Sequence, residues 1–165
     1  MESIVQAKRV LEIFKEMSQI PRESGNEKGI SDYIVNFAKN LGLEVHQDDQ
    51  FNVVIKKPAS PGYENRPSII LQGHIDMVCV RDHDSNHDFS KDPIANIIEG
   101  EWMHADHTTL GADNGMGGAM MLAILEDDSQ QHGPMQLLFT TNEETGMDGA
   151  FAIKEGQVSG DYLLN

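Results

Sequence analysis

Apolar residues recur at helical spacing from the start of the chain. Val10, Ile13, Phe14 and Met17 fall on one face of a helix predicted over 3–18, which Ser3 and Gln6 would open as a capping box. Ile20-Pro21 ends it, because a residue before proline is pushed out of the α region. A second helix carries Ile30, Ile34, Phe37 and Leu41 as its stripe. Ser24-Gly25-Asn26-Glu27 has the S-x-x-E spacing of a capping box at its start, and Gly42 sits where a left-handed residue would stop it.

The period then changes. Residues 43–47 and 51–56 predict two short strands around a turn at Asp48-Asp49-Gln50. Residues 57–67 carry three prolines and one glycine and form a loop. Ser68 to Gln72 is a short apolar run typical of a buried strand, 81–92 is polar and irregular, and 94–104 predicts a hairpin turning at Glu99-Gly100. A turn at Gly111 to Asn114 precedes a helix over 115–127. A strand at Met135 to Thr140, a helix over 148–155 and a strand at Asp161 to Leu164 follow. Strands alternating with helices predict an α/β domain with a mostly parallel sheet. No repeat, low-complexity run or linker divides the chain.

Composition narrows the function. The 165 residues suit one domain, and 39% hydrophobic content is enough for a core. Twelve Lys and Arg face 27 Asp and Glu, a formal net charge of −15. That balance argues against nucleic acid and anionic membrane surfaces as partners, because phosphates would be repelled. The single cysteine, Cys79, rules out an internal disulfide framework. With no signal-peptide pattern and no apolar run near the ~18 residues of a membrane span, a soluble cytoplasmic protein is expected.

Three segments end in residues suited to metal. In Leu71-Gln72-Gly73-His74-Ile75-Asp76, His74 and Asp76 share one side of extended chain, just past the end of a strand. Open α/β sheets bind their ligands at that edge. In Thr109-Leu110-Gly111-Ala112-Asp113-Asn114-Gly115 a carboxylate sits in a tight turn leading into a helix. Thr140-Thr141-Asn142-Glu143-Glu144 puts two adjacent carboxylates after a buried strand, where like charges call for a cation. Each segment alone also fits a plain reading: a surface His-Asp pair, a capped Asp-Asn-Gly turn, a solvated Glu-Glu pair. Together they offer one imidazole and four carboxylates, the material of a two-metal hydrolase site. Cys79, in an apolar stretch, is expected to be a buried, inert thiol. The run from Asp82 to Asp88 resembles the start of a calcium loop but lacks its glycine and final glutamate. His104 and His107, flanking Asp106, read as a polar turn.

In this order, Gly-His-Ile-Asp, Gly-Ala-Asp-Asn-Gly and Thr-Asn-Glu-Glu-Thr-Gly resemble the zinc exopeptidases of the aminoacylase and carboxypeptidase-G2 type. The surrounding residues, among them Met77-Val78-Cys79, His87-Asp88-Phe89, Lys91-Asp92-Pro93-Ile94 and Gly146-Met147, resemble the aminoacyl-histidine dipeptidase branch. The resemblance implies a three-layer α/β/α catalytic domain with a mostly parallel mixed sheet. It implies two zinc ions, with cobalt or manganese as alternatives, a dipeptide substrate and a homodimer. Carried over by position, His74 is a zinc ligand, Asp76 orients it, Asp113 bridges the metals, Glu143 is the general base and acid, and Glu144 binds the other zinc. A cis peptide is expected at Asp113-Asn114. Two departures stand out. His107 occupies a position where the family commonly has glycine. The family's next acidic ligand follows a Leu-Leu-Asn strand, here Leu163-Leu164-Asn165, where the sequence stops. Residues 1–165 are therefore expected to be the amino-terminal part of a catalytic domain, without the lid domain or the carboxyl-terminal part. Poor metal binding and negligible activity are expected of such a piece. A non-catalytic acidic α/β binding module, or a deacylase on the same scaffold, are the alternatives.

Overall fold

The computed structural model describes residues 2–165, with side chains from Gln6 onward, so the capping box, which needs the Ser3 side chain, lies outside the described side chains. In chain order the elements are α1 (Glu2–Ser18), α2 (Lys28–Asn40), β1 (Glu44–Gln47), β2 (Val53–Lys57), β3 (Ile69–His74), β4 (Asn96–Glu99), β5 (Trp102–Ala105), α3 (Ala112–Glu126), β6 (Met135–Thr140), α4 (Asp148–Ala152) and β7 (Tyr162–Leu164).

Five strands form one sheet in the order β1-β2-β6-β3-β7, and β4 and β5 form a separate hairpin. The short turn at Asp48-Asp49-Gln50 makes β1 and β2 antiparallel, since a few residues cannot carry a crossover. β2 also runs antiparallel to β6. β3 is parallel to β6 and to β7, so the sheet is mixed, with its parallel half where the predicted site residues lie.

Alternation in the strands divides the core. Val53, Ile55, Leu137 and Phe139 face the helical layer and pack with Ile13, Phe14 and Met17 of α1, Ile30 and Ile34 of α2, and Leu122 and Leu125 of α3. Each such side chain, fully buried, contributes about 1.5–3 kcal/mol of transfer free energy. On the opposite face Val54, Ile70 and Leu138 are covered by Ile153 and Val158, a thin third layer. Among the described residues no helix is long and apolar enough to cross a membrane.

Two helix ends contrast. α2 stops as its sequence predicts: Gly42 takes φ 72, Gly42 N donates to Lys39 O, and Leu43 N donates to Ala38 O, which is a Schellman motif. Its start does not form the predicted capping box. Glu27 stands at the N-cap with helical backbone and no side-chain cap bond, because both polar side chains of the pattern are engaged elsewhere. Ser24 donates to Asp76, and Glu27 accepts from the backbone of Asn142. The turn and helix predicted around Asp113 are both present. Asp113 and Asn114 depart from helical geometry within α3, and regular helix runs on from Gly115. α4 is shorter than predicted, ending at Ala152.

Candidate metal centre

β3 and β6 are parallel neighbours, so their carboxyl ends share one edge of the sheet, with His74 opposite Thr140 in register. Ile75 N donates to Thr140 O at 2.9 Å and extends that pairing past the strand ends. Asn52 fixes the loop after β6: its Oδ1 accepts from Thr141 N at 3.1 Å and its Nδ2 donates to Gly149 O at 2.9 Å. The kinked start of α3 carries Asp113 to the same edge, and the Asp113-Asn114 peptide is cis. Gly117 leaves the space that Asn114 occupies, since a Cβ there would stand 1.8 Å from Asn114 Oδ1.

His74, Asp113 and Glu144 each present a ligand atom within 4.8 Å of the others. His74 Nε2 lies 3.2 Å from Asp113 Oδ1 and 3.7 Å from Glu143 Oε2. His74 is buried, whereas the Asp113 side chain is 86% exposed, so the cluster opens to solvent on the Asp113 side. Asp76 lies behind it, fully buried. Its Oδ1 accepts from Glu143 N at 3.1 Å, and its Oδ2 accepts from Ser24 Oγ at 2.7 Å and Glu144 N at 3.1 Å. His74 Nδ1 lies 3.3 Å from Asp76 Oδ1, outside hydrogen-bond alignment, and has no other partner. With its proton on that nitrogen, His74 turns a free Nε2 lone pair toward Asp113.

The electrostatics fit a concentration of negative charge. Burial alone would raise the Asp76 carboxyl, but the adjoining His74 ring and the bonds from Ser24 and the amides of Glu143 and Glu144 bring it down to about 2. Burial alone would lower His74, yet Asp76, Glu143 and Asp113 together raise it. Glu144 is raised by burial and by Glu143, Asp113 and Asp76, against the pull of His74. An imidazole nitrogen and several carboxylate oxygens crowded together are the donor set that divalent cations of the zinc, cobalt or manganese kind take.

All five predicted site residues thus meet at one edge, with Asp76 as support and the other four around the opening. Sequence reading missed three supports. Ser24 and Glu27 were visible only as a capping pattern, and Arg22, buried beside them, donates to backbone carbonyls of the site segments. The remaining candidates stay apart. Cys79 is half-buried and its thiol is pushed up to about 11 by burial, as suits an inert side chain. His107 holds a left-handed φ of 55, where glycine is at ease, and leans outward with Nδ1 2.7 Å from Asp82 Oδ2. It does not crowd the centre. His104 turns from Asp106, its Nε2 3.7 Å from Glu99 Oε2.

Comparison with known proteins bears on the fold and the family. Residues 70–164 match the family model for peptidase family M20/M25/M40. The chain is 47% identical over 154 residues to the cytosol non-specific dipeptidase of Escherichia coli, covering 93% of this chain and 32% of that protein. The crystal structure of aminoacylhistidine dipeptidase from Vibrio alginolyticus superposes with a TM-score of 0.92 at 46% identity, covering 95% of this chain and 32% of that one. A tripeptidase from Staphylococcus aureus superposes with a TM-score of 0.79 at 27% identity, over 94% of this chain and 42% of its own. The chain therefore spans 32% of the length of each of the first two relatives.

Proposed function

This chain belongs to peptidase family M20/M25/M40, and from that membership we propose that it is the amino-terminal part of the catalytic domain of a metal-dependent dipeptidase. The observation that carries the reading is the convergence of His74, Asp113 and Glu144 within 4.8 Å at the shared edge of β3 and β6. The substrate class follows the names of its relatives, a non-specific dipeptidase and an aminoacylhistidine dipeptidase: dipeptides in general, those ending in histidine included. A cytosolic location and a homodimeric assembly belong to the same proposal, the first supported by the name of the Escherichia coli relative.

His74, Asp113 and Glu144 would hold two zinc ions, and the resemblance gives Asp113, whose carboxylate is exposed at the opening, the part shared between them. Cations held there supply Lewis acidity toward a peptide carbonyl and lower the pKa of a water molecule. Glu143 takes the proton of the attacking water and returns it to the departing amine, the work of a positioned carboxylate in hydrolysis. Its backbone amide is anchored on Asp76, which aims the side chain at the opening. Asp76 keeps the His74 ring in one orientation. Two zinc sites need more protein ligands than these three. The proposal assigns the remainder to regions that the relatives have and this chain, at 32% of their length, does not contain.

Zinc stoichiometry and dipeptide hydrolysis, measured on this chain and on a polypeptide extended through those regions, test the proposal. The extended form should hold two zinc ions and turn over until a chelator is added, while this chain binds a cation weakly and shows no turnover. An extended form without metal or activity would favour the non-catalytic binding module. Preference for an N-acyl amino acid over a dipeptide would move the assignment to a deacylase.

A further inference from the structure

Arg22 lies in the connector between α1 and α2 and is only 2% exposed. All three of its side-chain hydrogen bonds go to backbone carbonyls. Nη1 donates to Ile75 O at 3.2 Å and to Asp76 O at 3.3 Å, and Nη2 donates to Gly111 O at 2.5 Å. The first two carbonyls belong to the segment that carries His74 and Asp76. The third opens the turn that carries Asp113. Thr109 joins the same segments farther out, through Val78 and Val80. Next to the ligands, besides the direct His74–Asp113 contact, the guanidinium joins their backbones.

The surroundings are shaped to this fork. A Cβ on Gly111 would stand 2.5 Å from Nη2, and a Cβ on Gly115 would stand 2.6 Å from it. Two small residues of the Asp113 turn therefore leave the volume that the guanidinium fills. Arg22 is itself anchored, since Met77 N donates to Arg22 O at 3.1 Å. Burial pushes the guanidinium down to about 10, so it remains charged near neutrality. A buried cation bonded only to carbonyls is costly unless its geometry is needed. A planar fork can hold two separate segments at a set distance, which a lysine ammonium, a point donor, cannot.

We propose that Arg22 is the positioning residue of this centre: its fork sets the spacing between the His74–Asp76 arm and the Asp113 turn, and so presets the ligands for a divalent cation. The inference rests on the metal-centre reading above. The test is Co(II) titration of this chain, followed by visible absorption, together with amide hydrogen exchange of the metal-free chain. Arg22→Met should weaken Co(II) binding about 10–100-fold and shift the absorption bands, and Arg22→Lys should do so to a smaller extent. Both are read at a temperature where circular dichroism shows a folded chain. Exchange should rise at 75–77 and 111–115 and not in the β4–β5 hairpin. Unchanged Co(II) affinity and bands in folded Arg22→Met would overturn the proposal, as would a uniform rise in exchange, which marks a role in stability alone. If the parent chain binds no Co(II) even at high concentration, the ligands outside this chain are needed for binding, the metal reading is decided on the extended polypeptide, and exchange alone decides on Arg22. A rise confined to the two segments supports it, and any other pattern overturns it. Should Arg22→Met not fold, Arg22→Lys carries the same comparison.

Discussion

Ser24 Oγ donates to Asp76 Oδ2 over 2.7 Å, joining the connector after α1 to a carboxylate at the end of β3. Asp76 is fully buried, so each donor it receives replaces water it has lost. The hydroxyl and the amides of Glu143 and Glu144 together hold the carboxylate that faces His74. A helix cap is thereby given up for the support of a candidate ligand.

Ser24→Ala removes one donor from that buried charge. A hydrogen bond to a charged group contributes about 1.5–3 kcal/mol, and the variant should lose stability in that range in urea unfolding. Ser24→Thr, which keeps the hydroxyl, should lose far less. An alanine variant with the parent's midpoint would show that water takes the hydroxyl's place.

His74 and Asp76 should shape the pH dependence of the metal-free chain. His74 is raised above 6.5, burial lowering it less than Asp76, Glu143 and Asp113 together raise it. Its contribution is full below 6.5 and is lost as pH rises through the folded value. Asp76 is lowered from 3.8 to about 2, so its contribution is full above 3.8 and is lost as pH falls toward 2. Resistance to urea should therefore be greatest between about pH 4 and pH 6.5. Zinc requires the neutral imidazole, so its stabilisation should be larger at about pH 8 than at about pH 5.5. His74→Gln should abolish the decline on the alkaline side. The same decline in that variant would place its origin elsewhere.

Glu143 and Glu144 are neighbours in sequence with different tasks in the proposed site. In the extended polypeptide, Glu143→Gln should keep zinc and lower kcat by about 100-fold or more, since it removes the proton carrier. Glu144→Gln should instead weaken zinc binding about tenfold or more, and added metal should partly restore turnover. Zinc analysis and steady-state kinetics on both variants separate the roles. Equal losses of metal would undo the assignment.

The sequence disclosed the candidate cluster better than its supports. α1, α2, β3 and β6 were legible because strong periodicity and clear stop signals agreed. His74, Asp113, Glu143 and Glu144 were legible because each follows an apolar strand or sits in a turn where a polar residue is conspicuous. The strand order β1-β2-β6-β3-β7 was not, since no local pattern says that β6 lies between β2 and β3. Ser24 and Glu27 were misread for the same reason. The S-x-x-E spacing is satisfied locally by a cap, while the partners that win, Asp76 and Asn142, are remote in sequence. Arg22 gave no signal, because its partners are backbone carbonyls, which every residue has.

Lys57 presents the same kind of hidden contact, away from the site. It ends β2 and is only 5% exposed. Its Nζ donates to Ile124 O and Leu125 O at 3.0 Å each and to Asp127 O at 2.8 Å. These carbonyls lie in and just beyond the last turn of α3, where a helix has no internal donors left and its dipole favours a cation. Lys57→Met keeps the apolar stem and removes all three donors. The variant should be less stable by about 1–3 kcal/mol, the cost of leaving buried polar groups unpaired. Because α3 also carries Asp113 at its other end, the variant separates helix capping from site geometry. Amide exchange should rise over 122–127, while Co(II) binding by the folded chain stays at the parent value. An unchanged urea midpoint would mean that water reaches those carbonyls. A loss of Co(II) affinity would mean that the far end of α3 transmits its loosening to Asp113.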